Sequence, residues 1–371
     1  MENCYVGLMS GTSLDGIDAA LVQIGKKGQL EVISLLTSKF PEHIPSQLRS
    51  LISGKSESLH ALCSLDIELG EIYANVTLDL LSRSSCKPHD IRAIGSHGQT
   101  IRHKPDARHP YSLQIGNPSV ISEITGITTV AGFRARDIAA GGQGAPLAPA
   151  FHRAAFSDHK QKRIIVNIGG ISNITLLPHL QSSAIVSGYD TGPGNCLLDA
   201  WTMSCRGLHY DENGDWAGSG DADRDLLDSL LADSYFSKSS PKSTATDYFN
   251  LDWLESSHPL VADLKAENVQ ATLAELTAHT IALHIIREGY DDTEIYLCGG
   301  GVHNKDLVNR IARHLPKAAL STTESLGLDP DYVEATAVAW LAWRTMEKKA
   351  GNLPAVTGAS HPVVLGGIFS A

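Results

Sequence analysis

The stretch YVGLMSGTSLDGIDAALVQI, residues 5–24, contains two β-rich runs on either side of a polar turn. The turn is Gly11-Thr12-Ser13-Leu14-Asp15-Gly16, and glycines at its two ends let the backbone reverse direction and approach a ligand. Its amides, hydroxyls and carboxylate are the parts of a phosphate loop. The lysine and following helix of a Walker A loop are absent, which disfavours that chemistry. An ordinary hairpin turn is the alternative.

A similar pattern begins again in the second half of the chain. Residues 163–168 form an apolar run, Gly169-Gly170 supplies a small-residue turn, and residues 174–177 form the next run. Short apolar runs then alternate with stretches of helical periodicity, such as residues 59–80 and 268–287. We therefore predict an α/β fold with two similar domains on either side of a nucleotide-binding cleft. Shared α/β periodicity without duplication is the alternative.

The length of 371 residues exceeds one ordinary hydrophobic core and predicts two domains of comparable size. We expect residues 1–140 together with about 352–371 to form the N-terminal domain, and residues 141–351 to form the C-terminal domain. Residues 207–248 are rich in Asp, Ser, Gly and Lys. They are expected to form a surface excursion around a short helix.

The composition limits the classes of function. The chain has 30 basic and 41 acidic residues, and its net charge of −11 disfavours binding to nucleic acid or to an anionic membrane surface. Six cysteines form no CxxC pair and 16 histidines no HExxH motif, so we expect no transition-metal site. Without a signal-like start or a membrane-spanning stretch, the chain is expected to be cytoplasmic.

A third glycine-bearing loop follows the predicted strand at residues 294–298. It contains Gly299-Gly300-Gly301, and three successive glycines permit close approach of a flat or phosphorylated ligand. The helix predicted next would direct its N-terminus toward that ligand. A tight strand-to-helix turn explains one or two of these glycines and leaves the third unexplained.

Asp190 follows a predicted strand at residues 184–189, and Asn195 begins a predicted helix five residues later. In open α/β sheets the carboxyl ends of strands border the ligand crevice, so Asp190 is placed where a general base belongs. Capping of the turn by Asp190 is the competing interpretation.

Four further residues are candidates for contact with a substrate. Ser96 and His97 follow a buried-looking strand, although a lone loop histidine is more often structural than catalytic. Arg134 and Arg136 belong to the residue type that best clamps carboxylate or phosphate, although paired loop arginines are often solvated.

Taken together, these motifs resemble the phosphate and adenosine motifs of the superfamily of actin, heat-shock chaperones and hexokinase. The resemblance is sharper to anhydro-N-acetylmuramic acid kinases, and six blocks in the same order carry it across nearly the whole chain. They are GLMSGTSLDGID (residues 7–18), GSHGQT (95–100), FRARD (133–137), NIGGISN (167–173), DTGPGN (190–195) and PAVTG (354–358).

The resemblance implies the fold, which is two actin/hexokinase-like, ribonuclease H-like domains, and it also implies the activity. In that reaction 1,6-anhydro-N-acetylmuramic acid, ATP and water give N-acetylmuramic acid 6-phosphate and ADP, during recycling of cell-wall sugars. One enzyme opens the anhydro bridge and phosphorylates the sugar. The partner is thus a small-molecule sugar, and a homodimer is implied.

The resemblance also assigns roles to residues. Asp190 is the implied base that activates the attacking water, and Glu334 is an implied helper beside that water. Arg134 or Arg136 would meet the lactyl carboxylate, with Ser96 and His97 also at the sugar, and Asp15 would organise Mg²⁺. The implied ATP-binding residues are Gly11, Thr12, Ser13, Leu14, Asp15, Gly16, Ile17, Asp18, Gly169, Gly170, Asn195, Gly299, Gly300 and Gly301.

One segment departs from the family pattern, and two other functions remain open. Where the family has Ser-Thr-Gly-Arg-Glu, this chain has Ser243-Thr244-Ala245-Thr246-Asp247, which lacks the arginine and puts substrate affinity or range in doubt. An ordinary amino-sugar or hexose kinase acting on a free hydroxyl is one alternative. A chaperone-like, ATP-gated binding module is the other, although no client-binding segment follows the kinase-like motifs.

Overall fold

The computed structural model describes residues 3–11, 14, 16–26, 28–54, 58–240 and 242–371. The chain divides into two compact units, one formed by Met1–Ala155 with Tyr332–Ala371 and the other by Phe156–Asp331. Residues 141–155 and 332–351, which we expected in the C-terminal domain, thus belong to the first unit.

Groups of strands and groups of helices follow one another along the chain. The strands are β1 Cys4–Met9, β2 Gly16–Ile24, β3 Leu30–Lys39, β4 Ile91–Ser96, β5 Gln99–Lys104, β6 Tyr111–Ile115, β7 Thr129–Ala131, β8 Arg163–Ile168, β9 Ile171–Leu177, β10 Ser187–Pro193, β11 Glu294–Cys298, β12 Ala319–Thr322 and β13 Gly367–Phe369. The α-helices are α1 His43–Ile52, α2 Leu59–Ser82, α3 Pro118–Thr125, α4 Phe133–Ala139, α5 Ala148–Phe156, α6 Cys196–Arg206, α7 Asp215–Ser219, α8 Arg224–Leu231, α9 Leu251–Ser257, α10 Ala266–Arg287, α11 Lys305–His314, α12 Val333–Met346 and α13 Pro354–Thr357. No helix within the described ranges is long and apolar enough to cross a membrane.

The first unit is built on a sheet with the order β13-β7-β4-β1-β2-β3. Strands β1, β2 and β3 pair antiparallel, whereas β1, β4 and β7 pair parallel. Helix α2 covers one part of this sheet with buried side chains such as Leu65, Leu69 and Tyr73, and Ser58 caps its first turn by accepting from the Ala61 amide. The apolar stripe predicted for residues 59–80 is therefore a core face.

The second unit repeats the same plan. Its sheet has the order β10-β9-β8-β11-β12, with β8, β9 and β10 antiparallel and β8, β11 and β12 parallel. This order matches β3-β2-β1-β4-β7 of the first sheet strand for strand. The core of the unit includes Ile281 and Ile285 of α10 packed with Ile164 and Val166 of β8. The shared order confirms the predicted α/β fold with two similar domains.

Helix α12 packs directly on the first sheet, against β1, β2 and β4. Two glycines make this close approach possible. A Cβ at Gly7 would overlap the Ala335 carbonyl, and a Cβ at Gly95 would overlap the Val338 carbonyl. The packing explains why α12 belongs to the first unit, against the boundary that we expected from sequence.

Two expectations for the second unit were wrong in part. The strand predicted at residues 184–189 lies at Ser187–Pro193, so Asp190 is inside a strand and does not follow one. Residues 207–248 are also more than a surface excursion, because they contain α7, α8 and a buried aromatic pair, Tyr235 and Phe236, which joins the core. Apolar residues spaced among polar ones bury themselves once a neighbouring helix is present.

Candidate active site

The loop between β1 and β2 is only partly described, because Thr12, Ser13 and Asp15 lie outside the described residues. Leu14 adopts a positive φ of 58° and its side chain is buried in the core of the first unit. Ile17 is fully buried there as well. Of the ATP-binding residues implied by the resemblance, these two can therefore offer a ligand only their backbone groups.

Gly16 and Asp18 follow this loop on β2. A Cβ at Gly16 would overlap the Ser38 carbonyl, so packing against β3 explains that glycine without a ligand. The carboxylate oxygen Oδ1 of Asp18 accepts a 2.6 Å hydrogen bond from the Thr37 hydroxyl, which also lies 2.9 Å from the Tyr332 hydroxyl. Tyr332 directly precedes α12, and Glu334 is half-buried in the first turn of that helix.

A second loop lies between β8 and β9 and is braced by the start of α6. The amides of Gly194 and Cys196 donate to the Gly170 carbonyl, and the Asn195 amide donates to the Gly169 carbonyl over 2.8 Å. The Asn195 side chain donates to the Ile168 carbonyl. The structure thus brings together Gly169, Gly170 and Asn195, as the sequence predicted for a loop and a helix start.

The triple glycine follows β11 and reaches the same place. A Cβ at Gly299 would overlap Asn167 and Ile168, and a Cβ at Gly301 would overlap the Ile168 side chain. A Cβ at Gly300, in contrast, would meet no atom within 4 Å. Close packing therefore accounts for the outer two glycines and not for the middle one, whose backbone is open to a ligand.

Asp190 lies where the pairing of β10 with β9 shifts register, between Asp190 and Gly192. Such an irregularity re-aims a side chain, and it is common beside active sites. Oδ2 of the carboxylate accepts a 3.0 Å hydrogen bond from the Thr244 amide. The Asp190 carbonyl accepts from the Tyr235 hydroxyl over 2.8 Å, and the Asp190 amide donates to the Lys242 carbonyl. Asp190 is therefore fixed through both backbone and side chain.

Sequence reasoning missed a buried pair beside Asp190. The Lys242 ammonium is 2.9 Å from Nε2 of His284, 3.2 Å from the Tyr235 carbonyl and 4.3 Å from the centre of the Tyr235 ring. Lys242 is 7% exposed and His284 is 2% exposed. No motif in the single sequence signals this pair, since the two residues are 42 positions apart.

In the first unit, two of the residues predicted to contact substrate lie together. Arg134 donates from Nε to Nε2 of His97 over 3.1 Å and from Nη1 to the Gly144 carbonyl over 3.0 Å. His97 must then carry its proton on Nδ1, which lies 2.8 Å from the Gly98 carbonyl. Burial, together with the Arg134 charge, lowers the pKa of His97 to about 3, so the ring is neutral at pH 7.

The other two predicted substrate residues behave differently. The Ser96 hydroxyl is buried and has no hydrogen-bond partner among the described residues, and the same is true of the Gln99 side-chain oxygen. Buried polar atoms are nearly always paired, so these two next to His97 are of interest for a polar ligand or water. Arg136 is exposed at the end of α4 and is not part of this cluster.

Asp137 anchors α4 from inside the first unit. Its fully buried carboxylate accepts hydrogen bonds from the Gly144 amide, the Asn352 side chain and the Thr357 hydroxyl, at 2.8, 2.7 and 2.8 Å. Asp137 and Thr357 lie in two of the six blocks that carried the resemblance. Their shared role here is to hold the arginine-bearing helix in place.

The second unit therefore combines open glycine backbone with a fixed carboxylate. Glycine-bearing loops at strand ends suit phosphate oxygens, and a carboxylate oriented by a backbone amide suits proton transfer. Across the ranges that the structure describes, no group of three or more His, Cys, Asp or Glu side chains is placed to hold a metal ion.

Comparisons with known proteins agree with this chemistry. The sequence profile of the anhydro-N-acetylmuramic acid kinase family matches residues 3–371. An anhydro-N-acetylmuramic acid kinase of Coxiella burnetii (strain Dugway 5J108-111) is 45% identical over 98% of this chain and 97% of the relative. Those of Shewanella baltica (strain OS155 / ATCC BAA-1091) and Shewanella loihica (strain ATCC BAA-1088 / PV-4) are 47% identical over 100% of both chains and 46% identical over 99% of both chains. By profile and by full-length identity, the chain belongs to the anhydro-N-acetylmuramic acid kinase family.

Proposed function

We propose that Asp190 is the general base in the reaction for which this kinase family is named. Water adds its oxygen to the anomeric carbon of 1,6-anhydro-N-acetylmuramic acid and gives up a proton to the Asp190 carboxylate. The bond from that carbon to the 6-oxygen breaks, and the freed 6-oxygen takes the γ-phosphoryl group of ATP. The products are N-acetylmuramic acid 6-phosphate and ADP. The observation that carries this role is the hydrogen bond from the Thr244 amide to Oδ2 of Asp190.

The hydrogen-bond geometry supports a base and not merely a turn cap. Two backbone hydrogen bonds hold Asp190 in β10, and the Thr244 amide orients its carboxylate, so the group reaches the reaction already positioned. Cleavage by direct attack of water needs one base on the face opposite the breaking bond and no covalent sugar intermediate. A single well-oriented carboxylate meets this requirement.

ATP is proposed to lie along the glycine-bearing loops. In the second unit, Gly169 and Gly300 offer backbone that a phosphate or adenosine group can approach closely, because a Cβ at either position would meet no side chain within 4 Å. Gly170 is proposed beside them from the resemblance alone. The loop at residues 11–18 is the corresponding candidate in the first unit, from the resemblance alone. Since the net charge of −11 repels an anion at long range, such local donors have to supply the attraction.

Mg²⁺ is proposed to enter with ATP. Proteins usually hold this ion through one or two carboxylates together with substrate phosphates, and when bound it neutralises the charge that builds up on the phosphate oxygens. Asp18 supplies a half-buried carboxylate at the end of the first loop, with Oδ1 engaged by Thr37. This donor type fits a hydrated Mg²⁺, and Asp15 remains a second candidate.

Arg134 is the better candidate for the lactyl carboxylate of the sugar. Hydrogen bonds to two neutral acceptors, Nε2 of His97 and the Gly144 carbonyl, hold its guanidinium in a fixed orientation. Arg136 is exposed, and none of the described residues orients its side chain in this way. Glu334 is proposed as a helper near the attacking water, from its resemblance to the family residue alone.

A cytoplasmic location and a homodimer are proposed on the resemblance. ATP as phosphoryl donor suits the cytoplasm. Light scattering on the purified protein tests the dimer, and a mass of one chain at micromolar concentration would contradict it.

The decisive experiment is product analysis in ¹⁸O-labelled water. Purified protein is incubated with Mg-ATP and 1,6-anhydro-N-acetylmuramic acid, with N-acetylmuramic acid and N-acetylglucosamine in parallel, and the products are analysed by mass spectrometry. We expect a 6-phosphorylated sugar with the label at the anomeric carbon. Turnover of the free sugars alone would overturn coupled cleavage and point to an ordinary amino-sugar kinase.

A further inference from the structure

A positive charge is buried next to the proposed base, where the reaction scheme gives it no task. Lys242 is 7% exposed, and no described carboxylate forms an ion pair with its ammonium group. Its partners are the neutral acceptors His284 and the Tyr235 carbonyl, and the face of the Tyr235 ring. Burying an ammonium group without an anion costs several kcal/mol in order of magnitude, so an apolar side chain would serve packing better.

The charge states of the pair follow from its surroundings. Burial and the Lys242 charge lower the pKa of His284 to about 3, which keeps this ring neutral, so that Nε2 accepts a hydrogen bond from the ammonium. Burial and Arg287 lower the pKa of Lys242 to about 8, while Asp190 raises it and Lys238 lowers it slightly. At pH 7 the group is mainly a cation.

The pair connects to Asp190 along three short routes. The Lys242 carbonyl accepts from the Asp190 amide, and the Thr244 amide two residues later donates to the Asp190 carboxylate. Tyr235, whose ring and carbonyl contact the ammonium, donates its hydroxyl to the Asp190 carbonyl. These three hydrogen bonds of Asp190 therefore all lead to Lys242, to its ring partner Tyr235, or to Thr244, two positions after Lys242.

We infer that Lys242, whose ammonium group is held by His284 and Tyr235, is the positioning residue that sets the orientation and the charge environment of Asp190. Fixing the ammonium fixes the backbone of residues 242–244, which in turn fixes the carboxylate. The same cation favours the ionised carboxylate that a base needs. This inference rests on the proposed role of Asp190 and adds a residue that does not itself touch the substrate.

The chain offers a matched control for the test. Lys238 is exposed, and its ammonium lies 5.7 Å from the centre of the same Tyr235 ring. Lys238→Met removes a charge near that ring without removing a hydrogen bond to the base. Lys242→Met removes the buried cation and keeps the length of the side chain.

We expect Lys242→Met to lower kcat by about 10- to 100-fold through misplacement of the base, with KM for ATP unchanged. The acid limb of its pH–kcat profile should move to higher pH, because the carboxylate loses a favourable positive charge. Lys242→Arg should restore part of the rate and return the acid limb toward its original pH. Lys238→Met should match the wild type in both readings.

The possible failures can be told apart. A folded Lys242→Met protein with wild-type kcat and pH profile, alongside an inactive Asp190→Asn protein, would overturn the positioning role and spare the base. Full activity in Asp190→Asn would overturn the base itself, and the inference with it. If Lys242→Met does not fold, His284→Leu decides: a reduced kcat with a shifted acid limb supports the inference, and an unchanged profile overturns it.

Discussion

In the first unit the carboxylate of Asp18 lies on the second strand of the shared sheet pattern, whereas in the second unit Asp190 lies on the third. Asp18 pairs across the strands with Thr37, whose hydroxyl donates to it. Asp190 pairs with Asn173 and is held instead by an amide from outside the sheet. Duplicated topology therefore fixed the scaffold of both units without fixing the position of their acidic groups.

The edges of the two sheets explain the difference. Strand β3 is the outer strand of the first sheet, and most of its residues are only partly buried. The equivalent strand β10 is also at an edge, but Tyr235 and residues 242–244 cover it and hydrogen-bond to Asp190. When a segment covers the edge of a sheet, both the sheet and that segment can hold a reactive side chain in place. When the edge is open, only residues of the sheet can do so.

The largest effect that tests this comparison is expected from Asp190→Asn. The variant keeps the shape of the side chain and removes its capacity to take a proton, so kcat should fall by about 10³-fold or more while ATP binding stays nearly intact. Steady-state kinetics and calorimetric titration with ATP measure the two quantities. Near-normal kcat in this variant would show that Asp190 is not the base and would contradict the comparison between the two units.

The next effect concerns the packing of α12 in the first unit. Gly7→Val places side-chain atoms where the Ala335 carbonyl of α12 lies, so the helix has to move away from the sheet. We expect this change to destabilise the first unit by about 3 kcal/mol or more. Hydrogen exchange should show lost protection in β1 and β4 and retained protection in β8 and β11. As a control, Gly367→Ala adds a methyl group to β13 of the same unit, where the Phe369 ring at 3.6 Å is in ordinary contact distance. Equal loss of protection in both units would mean that they unfold together.

A smaller effect distinguishes a glycine needed for packing, Gly301, from a glycine proposed to face the ligand, Gly300, in the second unit. Gly301→Ala should lower stability by about 1 to 3 kcal/mol, because its methyl group meets Ile168. Gly300→Ala should leave stability within about 0.5 kcal/mol and weaken ATP binding instead. Thermal unfolding and ATP titration of both variants form the test. The reverse pattern would show that the open glycine is not at the nucleotide.

The smallest effect is the acid dependence of stability that a buried histidine gives the first unit. Burial lowers the pKa of His152 to about 3, well below its value of about 6.5 in the unfolded chain. Below pH 6.5 the unfolded chain therefore binds a proton at His152 that the folded chain does not. The contribution of this residue to the free energy of unfolding is fully present above pH 6.5 and is lost as the pH falls toward 3. His152→Leu should reduce the slope of stability against pH by about 1 kcal/mol per unit between pH 6 and 4. An unchanged slope in urea titrations would contradict a neutral buried ring.

Local patterns in the sequence predicted much of the fold. Glycine-bearing turns predicted both the β1–β2 and the β8–β9 hairpins, and the helical spacing of residues 59–80 predicted α2. The strand that carries Asp190 was misplaced by a few residues, because a register shift interrupts its pattern. Such signals act over a few residues, which is why they can be read from one sequence.

Contacts between distant residues could not be predicted in the same way. The Lys242–His284 pair joins residues 42 apart, and Asn352 reaches Asp137 across 215 positions. The attachment of α12 to the first unit depends on the match between Gly7 and Ala335, which no periodicity reports. The sequence therefore shows which chemical groups are present but not which residue each group contacts in the fold.

The return of Tyr332–Ala371 to the first unit has a consequence for synthesis on the ribosome. The second unit is one continuous segment and emerges complete before α12 and β13, which supply the last helix and the outer strand of the first sheet. The second unit is therefore completely synthesised before the first, although domains usually form in order from the N-terminus. Until α12 has been synthesised, the face of β1 and β4 that this helix covers is exposed.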